Sequence, residues 1–449
     1  MSKDLQAWLT YIEGLHPKSI AMGLDRVKIM IDRLQLHPTF PIVTVAGTNG
    51  KGSTCAMLSQ IYLHAGYQVA CYSSPHLMRY NERVRVNGIE ATDLELCAAF
   101  TAVDSARLSA GAVIELTYFE VGTLAAMWHF MQSGIDVVIM EIGLGGRLDA
   151  VNAFEPSCAI VTNVDLDHQE FLGDTREEIA YEKAGVFRTS VPAICGDEHP
   201  PKSLIDYANS IKAKLKYIHH DFDFIGSNNN WRFYADDEVL GHVNYILPLP
   251  ALTGLYQLNN ASCALAAVSA LQVKLPVMPT AIAAGLEEVK LAGRFQMIPV
   301  STTNPVSLIL DVAHNPHAAQ ALVGNLHHYK SSKAAKTVAV FAMLADKDVK
   351  GVVSALVDEF DAWYVAGIDH VRGALAQDLA SIIQALHPRA QVKTFIDAAQ
   401  AYQQACLDLK ATNNTDSCIQ MNEYDKLVVF GSFYTVSNVM QVLYAQSKS

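Results

Sequence analysis

Short apolar runs alternate with longer amphipathic segments along most of the chain. In the first half, the runs at 42–45, 68–72, 137–140 and 159–164 predict strands, while the segments that start at Gly52 and at Phe119 predict helices. Strands that alternate with helices are typical of a parallel sheet with helices on both faces. The pattern therefore predicts an α/β fold.

The pattern changes twice after residue 220. Between 222 and 247 polar and aromatic residues alternate, with turn signals at 228–230 and 236–237, so we expect a hairpin-bearing excursion there; a helix is expected at 259–270. A loop around 290–295 precedes a second α/β series, with strands predicted at 307–310, 337–341, 362–366, 391–395 and 427–430. We expect two domains, 1–294 and 295–449, with the boundary near 292–298.

Composition and charge narrow the class of protein. Of 449 residues, 51% are apolar and 17% are charged, which is typical of a globular chain with a sizeable core. The net charge of −12 argues against a nucleic-acid surface, although a cluster such as Arg79, Arg83 and Arg85 can still attract a small anion. The same cluster also fits a solvated strand edge.

Neither the cysteines nor the N-terminal residues indicate export. The eight cysteines form no C-x-x-C pair and several lie within apolar patterns, so we expect buried, reduced thiols. The first residues lack a basic leader with an apolar core, and no apolar run is long enough to span a bilayer. We expect a cytoplasmic protein that binds neither membrane nor nucleic acid.

The most informative motif lies at 43–54 and reads V-T-V-A-G-T-N-G-K-G-S-T. Its glycines let the backbone N–H groups converge, the following helix N-terminus adds partial positive charge, and Lys51 adds a full one. A nucleoside triphosphate fits such a loop, and Ser53 or Thr54 can hold a magnesium ion on its phosphates.

This motif departs from the common phosphate-loop pattern G-x-x-x-x-G-K-[ST] at two positions. Val45 occupies the position of the first glycine, and Gly52 rather than Ser or Thr follows Lys51. The departure points away from kinases and switch GTPases.

Polar residues follow other predicted strands. Glu141 leads from D-V-V-I-M into a glycine-rich stretch, which suits a magnesium ligand, although a capping or solvated glutamate is the alternative. Asp165, Asp167 and His168 follow the next strand, where a hydrogen-bonded loop histidine is favoured because magnesium prefers oxygen ligands. Ser74, in Y-S-S-P-H, is by itself an ordinary turn residue.

Lys183 lies in the helical stretch R-E-E-I-A-Y-E-K-A-G. The residues alone favour an exposed lysine that pairs with Glu178 or Glu182. A buried, uncharged amine near a metal is the alternative.

The second half places Asp311 and His314 just after the run S-L-I-L, and Arg294 in the interdomain loop. Together they offer a carboxylate, an imidazole and a cation to one cleft. Each residue also has a structural alternative: a cap for Asp311, a hydrogen-bonded loop group for His314 and a domain-bridging ion pair for Arg294.

A set of motifs along nearly the whole chain resembles the folylpolyglutamate synthase family of Mur-type amide ligases. In order they are G-T-N-G-K-G-S-T, Y-S-S-P-H-L, L-T-Y-F-E, E-I-G-L-G-G-R-L-D-A-V-N, V-T-N-V-D-L-D-H, E-K-A-G-V-F, L-A-G-R-F and D-V-A-H-N-P-H. The resemblance is weakest at 196–250. It implies a Mur ligase-like α/β fold, with an N-terminal P-loop domain that has a mostly parallel sheet and a C-terminal Rossmann-like glutamate ligase domain.

The resemblance also implies roles for individual residues. The matched ATP contacts are Gly50, Lys51, Gly52, Ser53, Asn260, Arg294 and Asp311. The matched ligands of two magnesium ions are Ser53, Ser74, Glu141 and His168, in place of the plainer interpretations of Ser74 and His168. Lys183 matches a lysine that carbon dioxide converts to a carbamate, and His314 completes a catalytic set with Lys51 and Lys183.

The pterin site of bifunctional family members is matched by three segments. They comprise Ala21, Met22, Gly23 and Leu24, then Thr117, Tyr118, Phe119 and Glu120, then Leu148, Asp149 and Ala150. Ala21 departs from the family pattern, in which an acidic residue can stand.

The implied activity is ATP-dependent addition of L-glutamate to dihydropteroate, which forms dihydrofolate, and to tetrahydrofolates, which forms polyglutamates. An acyl phosphate is the expected intermediate, Mg²⁺ at two sites the expected cofactor, and a monomer the expected state. A monofunctional folylpolyglutamate synthase, another Mur-type ligase and a nucleotide-binding switch that hydrolyses ATP slowly are the alternatives.

Overall fold

The computed structural model describes residues 3–18, 20–109, 111–227, 229–237, 241–298, 307–329, 336–413 and 425–447. The chain divides into two compact units, Met1–Ala251 with Gln257–Lys290, and Leu252–Tyr256 with Leu291–Ser449. The predicted division at 294 therefore falls just inside the second unit, which begins its main segment at Leu291. The short segment Leu252–Tyr256, earlier in the sequence, also belongs to the second unit.

The first unit is built from α/β repeats. Its helices are α1 Leu5–Glu13, α2 Asp25–Leu34, α3 Lys51–His64, α4 Asp93–Leu108, α5 Tyr118–Gln132, α6 Gln169–Leu172, α7 Arg176–Ala184, α8 Lys202–Ser210, α9 Gln257–Ala270 and α10 Pro279–Glu288. Its strands are β1 Ile42–Ala46, β2 Val69–Tyr72, β3 Val84–Val86, β4 Ile89–Glu90, β5 Val137–Glu141, β6 Cys158–Val161, β7 Pro192–Cys195, β8 Lys214–Tyr217, β9 Phe222–Gly226, β10 Asn230–Asp237 and β11 Gly241–Pro248.

The main sheet of this unit has the strand order β4-β3-β2-β5-β1-β6-β7-β8. The six strands β2, β5, β1, β6, β7 and β8 pair parallel with their neighbours. At the other edge, β3 pairs antiparallel with both β2 and β4. Every residue of β1, β5 and β6 is buried. In a parallel sheet the connecting helices cover both faces, which favours strands that are apolar along their whole length. The mostly parallel α/β architecture is confirmed.

Residues 222–248, in the segment where a hairpin-bearing excursion is predicted, form a separate antiparallel sheet of order β11-β10-β9. Phe222, Trp231 and Phe233 fill its buried face. The turn signals are placed differently from the prediction: Asn230 and residues 236–237 lie within β10, and residue 228 lies outside the described residues.

The second unit is a smaller α/β layer structure. Its helices are α11 Pro316–His328, α12 Val349–Leu356, α13 Ala376–Leu386, α14 Ala398–Asn413 and α15 Phe433–Ser447, and its strands are β12 Gln296–Ile298, β13 Ser307–Leu310, β14 Thr337–Phe341, β15 Ala362–Ala366, β16 Val392–Phe395 and β17 Lys426–Phe430. The strand order is β12-β13-β17-β14-β15-β16, with only β12 antiparallel. In the described ranges, no helix combines the length and the apolar character needed to cross a bilayer.

Candidate active site

Four neighbouring strands of the main sheet carry the predicted site. β2, β5, β1 and β6 lie side by side and run parallel, so their carboxyl ends meet at one edge. Ser74 follows β2, Glu141 is the last residue of β5, Lys51 begins α3 after the β1 loop, and His168 follows β6. Ligands of open α/β sheets bind beyond such strand ends. The sheet thus gathers residues that are far apart in the sequence.

The loop after β1 has the shape of a phosphate cradle. Gly47 and Gly50 have φ of 145° and 83°, which other residues rarely adopt, and α3 begins at Lys51. Lys51 Nζ donates to the carbonyl oxygens of Gly47 at 3.0 Å and Thr48 at 3.1 Å, so the lysine folds back over its own loop. A Cβ on Gly50 would lie 2.3 Å from Asn260 Oδ1, which places the Asn260 side chain against this loop.

The segment after β6 holds this loop in position. Asn163 Oδ1 accepts a hydrogen bond from the Asn49 N–H at 2.9 Å, and the Thr162 hydroxyl donates to the Asn49 carbonyl at 2.5 Å. The hydroxyl of Thr48 donates to the Asp165 carbonyl at 3.1 Å and accepts from the Asp165 N–H at 2.9 Å. Both backbone polar groups of Asn49, its N–H and its carbonyl, are therefore held by hydrogen bonds.

Ser74 and Glu141 are brought together. Glu141 is 4% exposed, and its Oε2 accepts a hydrogen bond from the Ser74 N–H at 3.0 Å. Glu141 also acts electrostatically on Cys55 in the second turn of α3, so its carboxylate lies near the start of that helix, where Ser53 is also buried. A buried strand-end carboxylate does not match the capping or solvated alternative for Glu141.

Lys183 is buried and not an exposed helix lysine. It is 4% exposed, Glu182 pairs with Arg147 at 2.7 Å, and Glu178 caps α7 through Thr175. Burial, together with the nearby charge of Lys51, lowers the pKa of the Lys183 amine to about 7, while Asp167 acts in the opposite direction. The interpretation that the residues alone favoured is wrong because both candidate carboxylates are used elsewhere.

The loop after β6 places Asp167 and His168 close to one another. His168 has φ of 51°, its N–H donates to Asp167 Oδ1 at 2.9 Å, and its Nε2 lies 3.8 Å from Asp167 Oδ2. Within the described ranges, no group of three or more His, Cys, Asp and Glu side chains is arranged to hold a metal ion. Magnesium suits such a site nonetheless, because it commonly binds one or two protein oxygens together with phosphate oxygens and water.

The three segments predicted to bind substrate lie together in the first unit. The Gly23 N–H donates to the Leu148 carbonyl at 3.3 Å. Arg26 bridges two segments, since it donates to the Ala21 carbonyl at 2.7 Å and forms an ion pair with Glu120 at 2.9 Å. A single surface is therefore formed by the 21–24 loop, the start of α5 and the 148–150 turn.

Gly143 and the buried carboxylate of Asp149 also lie at that surface. The Phe119 ring lies over Gly143, where a Cβ would come within 2.5 Å of the ring. Asp149 is buried and accepts hydrogen bonds from the N–H groups of Leu144 at 2.9 Å and Val151 at 3.0 Å. Burial raises the pKa of Asp149 to about 7 against these hydrogen bonds and the charge of Lys51. Because Leu144 lies just after Glu141, the surface continues from the carboxyl end of β5, beside the strand β1 that leads into the phosphate loop.

The second unit presents its own group of predicted residues at the end of β13. Asp311 Oδ2 accepts from the Phe295 N–H at 2.8 Å and Oδ1 from the Ala313 N–H at 2.7 Å; burial raises its pKa. The Arg294 guanidinium lies 5.0 Å from the Phe433 ring centroid. His314 Nδ1 lies 2.9 Å from the Val312 carbonyl oxygen. Asp311 thus also holds the loop that presents Arg294.

The residues that position the site were not predicted from the sequence. Thr162 and Asn163 belong to the motif V-T-N-V-D-L-D-H without a predicted role of their own, and Arg26 belongs to no motif. The signal for the pair was present, since a hydroxyl and an amide directly follow a buried strand next to β1. Arg26 offers no such signal, because a helix-surface arginine has many possible partners.

Comparisons with known proteins cover both units. A model of the Mur ligase middle domain matches residues 45–268, and a model of the Mur ligase glutamate ligase domain matches residues 293–433. Dihydrofolate synthase/folylpolyglutamate synthase of Escherichia coli (strain K12) is 42% identical over 446 residues, which cover 99% of this chain and 97% of that protein. The protein of the same name from Haemophilus influenzae is 37% identical and covers 98% of both chains.

Solved structures of proteins with these names also match the chain over nearly its whole length. Escherichia coli FolC in complex with DHPP and ADP has a TM-score of 0.88 and 40% identity, over 99% of both chains. A bifunctional folylpolyglutamate synthase/dihydrofolate synthase with Mn, AMPPNP and L-glutamate bound has a TM-score of 0.84 and 41% identity, over 99% of this chain and 98% of that one.

Proposed function

Because this chain belongs to the Mur ligase family, among relatives named dihydrofolate synthase/folylpolyglutamate synthase, we propose that it joins L-glutamate to dihydropteroate and to tetrahydrofolates at the expense of ATP. The observation that carries the proposal is the position of the substrate surface. Through the hydrogen bond between Leu144 and Asp149 it continues from the carboxyl end of β5, which pairs with the strand that leads into the phosphate loop of the same unit. A carboxylate acceptor and a triphosphate then meet in one place.

The chemistry requires activation of a carboxylate. The acceptor carboxylate attacks the γ-phosphorus of ATP, and the bond between that phosphorus and the β,γ-bridging oxygen breaks. ADP departs, and the acceptor becomes an acyl phosphate. The amine of L-glutamate then attacks the acyl carbon, phosphate leaves, and the amine loses a proton. Lys51 stabilises the negative charge that gathers on the transferred phosphoryl group.

The residues present fit a divalent cation. The solved relatives include complexes with Mn ion, so a divalent metal is part of the proposal, and two magnesium sites are its finer form. Ser53, Ser74, Glu141 and His168 would hold ions at these two positions. When bound, such ions neutralise phosphate charge. The roles of Asn260, Arg294 and Asp311 in ATP binding, and of His314 toward the reacting groups, are proposals of the same kind.

Lys183 is proposed to act as a carbamate. Its amine is buried, and its pKa of about 7 means that about half of it is uncharged near neutral pH, which is the form that attacks carbon dioxide. A bond forms between nitrogen and carbon, one proton leaves, and the side chain becomes an anion. A protonated Lys183 is repelled by the nearby charge of Lys51, whereas the carbamate anion would be attracted to Lys51 and to a metal cation at the site.

A substrate panel tests the proposal. The purified chain is incubated with ATP and Mg²⁺, with and without L-glutamate, and with dihydropteroate, tetrahydrofolate or a muramyl nucleotide as acceptor. We expect glutamate-dependent ADP release and a mass increase of one glutamyl residue with the first two acceptors. Activity with tetrahydrofolate alone would indicate a monofunctional enzyme. Slow ATP hydrolysis that no acceptor stimulates would contradict the proposal and favour a nucleotide switch.

A further inference from the structure

One member of the arginine cluster at 79–85 has a different environment from its neighbours. Arg79 pairs with Asp93 and Arg85 pairs with Glu90, each at 3.2 Å. Arg83 is half-buried, and among the residues that the structure describes no carboxylate lies within the 4.0 Å of an ion pair. The two outer arginines therefore account for the solvated-edge interpretation, and Arg83 needs another explanation.

Neutral groups hold the Arg83 side chain in place. Its Nε donates to His76 Nδ1 at 2.8 Å. Its guanidinium carbon lies 5.3 Å from the Tyr80 ring centroid and 5.5 Å from that of Tyr118. Aromatic faces and an imidazole acceptor orient a guanidinium without neutralising it. The result is a positioned cation that no carboxylate of the described residues neutralises.

The Tyr80 ring, one of the two that contact Arg83, is held in the core. Tyr80 is 3% exposed. A Cβ on Gly122 would come within 2.6 Å of the Tyr80 hydroxyl oxygen, so this end of the ring packs against α5. The Arg83 guanidinium therefore lies against an aromatic ring that has little freedom to move.

Arg83 also connects the two halves of the proposed site. Its carbonyl accepts a hydrogen bond from the Ser73 N–H at 3.0 Å, so its backbone supports the loop that carries Ser74. Tyr118, which contacts its guanidinium, is the first residue of α5 and belongs to the substrate surface. The guanidinium itself lies between His76, in the segment after β2, and Tyr118 at the start of α5.

We propose that Arg83 binds the carboxylate of the pteroyl acceptor, the group that ATP activates, and that it selects acceptors with a free carboxylate at this position. A guanidinium fork matches two carboxylate oxygens, and the carboxylate must lie near Ser74 and the phosphate loop in order to react. This inference rests on the proposed function and assigns to it a specific acceptor contact. His76 is a positioning residue, because it acts through Arg83.

The test compares dihydropteroate with its carboxamide analogue, which has the same rings but no charge. Affinities are measured by titration of the full chain in the presence of ADP and Mg²⁺. The wild type should prefer the acid, and Arg83→Ala should bind the acid about 10- to 100-fold more weakly, as expected for loss of a charged hydrogen bond, while the amide changes little. KM values for ATP and L-glutamate should stay within about twofold, because Arg83 contacts neither under this proposal.

Three further variants separate binding from folding. Arg83→Lys keeps the charge without the fork and should lose part of the preference, and His76→Ala should lose less than Arg83→Ala. Arg79→Ala is the matched control, since Arg79 is exposed and paired with Asp93, and it should behave as wild type. Unchanged ADP affinity in every variant shows that the fold is intact.

Each other outcome has a definite meaning. If Arg83→Ala still prefers acid to amide, the assignment is overturned while the proposed function stands. If the KM shift falls on ATP or on L-glutamate instead, Arg83 binds a phosphate or the incoming amino acid, and the assignment is again overturned. If wild type shows no acceptor-dependent ADP release, the proposed function fails, and this assignment fails with it.

Discussion

At the scale of single residues, environment decides what a titratable side chain does. Lys183 and Lys202 have the same side chain, but Lys202 is exposed and pairs with Asp206, whereas Lys183 is buried with its pKa lowered to about 7. Sequence neighbours of Lys183 suggested an ordinary ion pair because local spacing cannot show that Glu182 turns toward Arg147. The chemical difference between the two lysines is therefore a tertiary property.

Lys183→Ala should lower kcat about 10- to 100-fold, the range seen when a group that supports a metal site is removed. Acetate or another short carboxylate should restore part of the activity, because it can occupy the place of the carbamate anion. Steady-state ADP release measures both effects. Lys202→Ala is the matched control and should keep full activity. Undiminished activity in Lys183→Ala would refute the carbamate.

The pKa of Lys183 also predicts how carbamate formation depends on pH. Below pH 7 the amine is protonated and unreactive, and above it the amine is neutral, so the reaction speeds up as pH rises through about 7. We expect the activation rate of enzyme stripped of carbon dioxide, measured at constant dissolved carbon dioxide, to increase between about pH 6 and about pH 8 and then level off. An ordinary lysine would keep accelerating toward its pKa of about 10.4, and that result would contradict the prediction.

At the scale of elements, the phosphate loop depends on a strand that is distant in sequence. β6 pairs with β1, and the residues after it fix the Asn49 peptide from both sides. A glycine-rich loop has many accessible conformations, so these hydrogen bonds reduce the entropy that nucleotide binding would otherwise lose. The close approach also explains Gly47, where a Cβ would come within 1.9 Å of the Thr162 hydroxyl.

Thr162→Val removes the hydroxyl but keeps the shape of the side chain. Loss of this hydrogen bond should weaken the loop by about 1 kcal/mol, which corresponds to a KM for ATP about fivefold higher. The KM for dihydropteroate should not change, since Thr162 lies outside the three segments that we propose to bind it. Thr101→Val, which removes a hydroxyl bonded to the Cys97 carbonyl on exposed α4, is the control. Equal effects in both variants would mean that the loop does not depend on Thr162.

The elements themselves were largely predictable. The strands predicted at 307–310, 337–341 and 362–366 coincide with β13, β14 and β15, because each is an uninterrupted apolar run bounded by polar residues. The region of β9 to β11 was harder, since antiparallel strands with one exposed face carry polar residues that resemble turns. Residues 236–237 were interpreted as a turn for that reason and lie at the end of β10.

At the scale of the whole molecule, the two units have separate hydrophobic cores. One core includes Ile42, Val138 and Phe130 of the first unit, and the other includes Phe341, Trp363 and Phe430 of the second. A unit with its own core can unfold by itself, and a ligand stabilises only the unit that binds it. The phosphate loop lies in the first unit, whereas the second unit contributes only Arg294 and Asp311 to the proposed ATP site, so nucleotide should stabilise the first unit more than the second.

We expect two unfolding steps on heating, with ADP and Mg²⁺ raising the step of the first unit by about 2.7 kcal/mol at a ligand concentration of 100 times Kd. Hydrogen exchange followed by mass spectrometry distinguishes the units through peptides from β1 and β5 and peptides from β14 and β15. Lys51→Ala should abolish the shift, because it weakens nucleotide binding. A single step for all four peptides, with and without nucleotide, would contradict the prediction.

The sequence by itself determined the repeating α/β pattern, the phosphate loop around Lys51 and, through its ordered motifs, the family. Those features are local, because apolar periodicity and glycine spacing act within a few residues of chain. Only the tertiary structure decided the state of Lys183, the fixing of the loop by Thr162 and Asn163, and the contrast between Arg83 and its paired neighbours. Each depends on which groups lie within a few ångströms after folding, and parallel strands bring together residues that the sequence separates by a hundred positions or more.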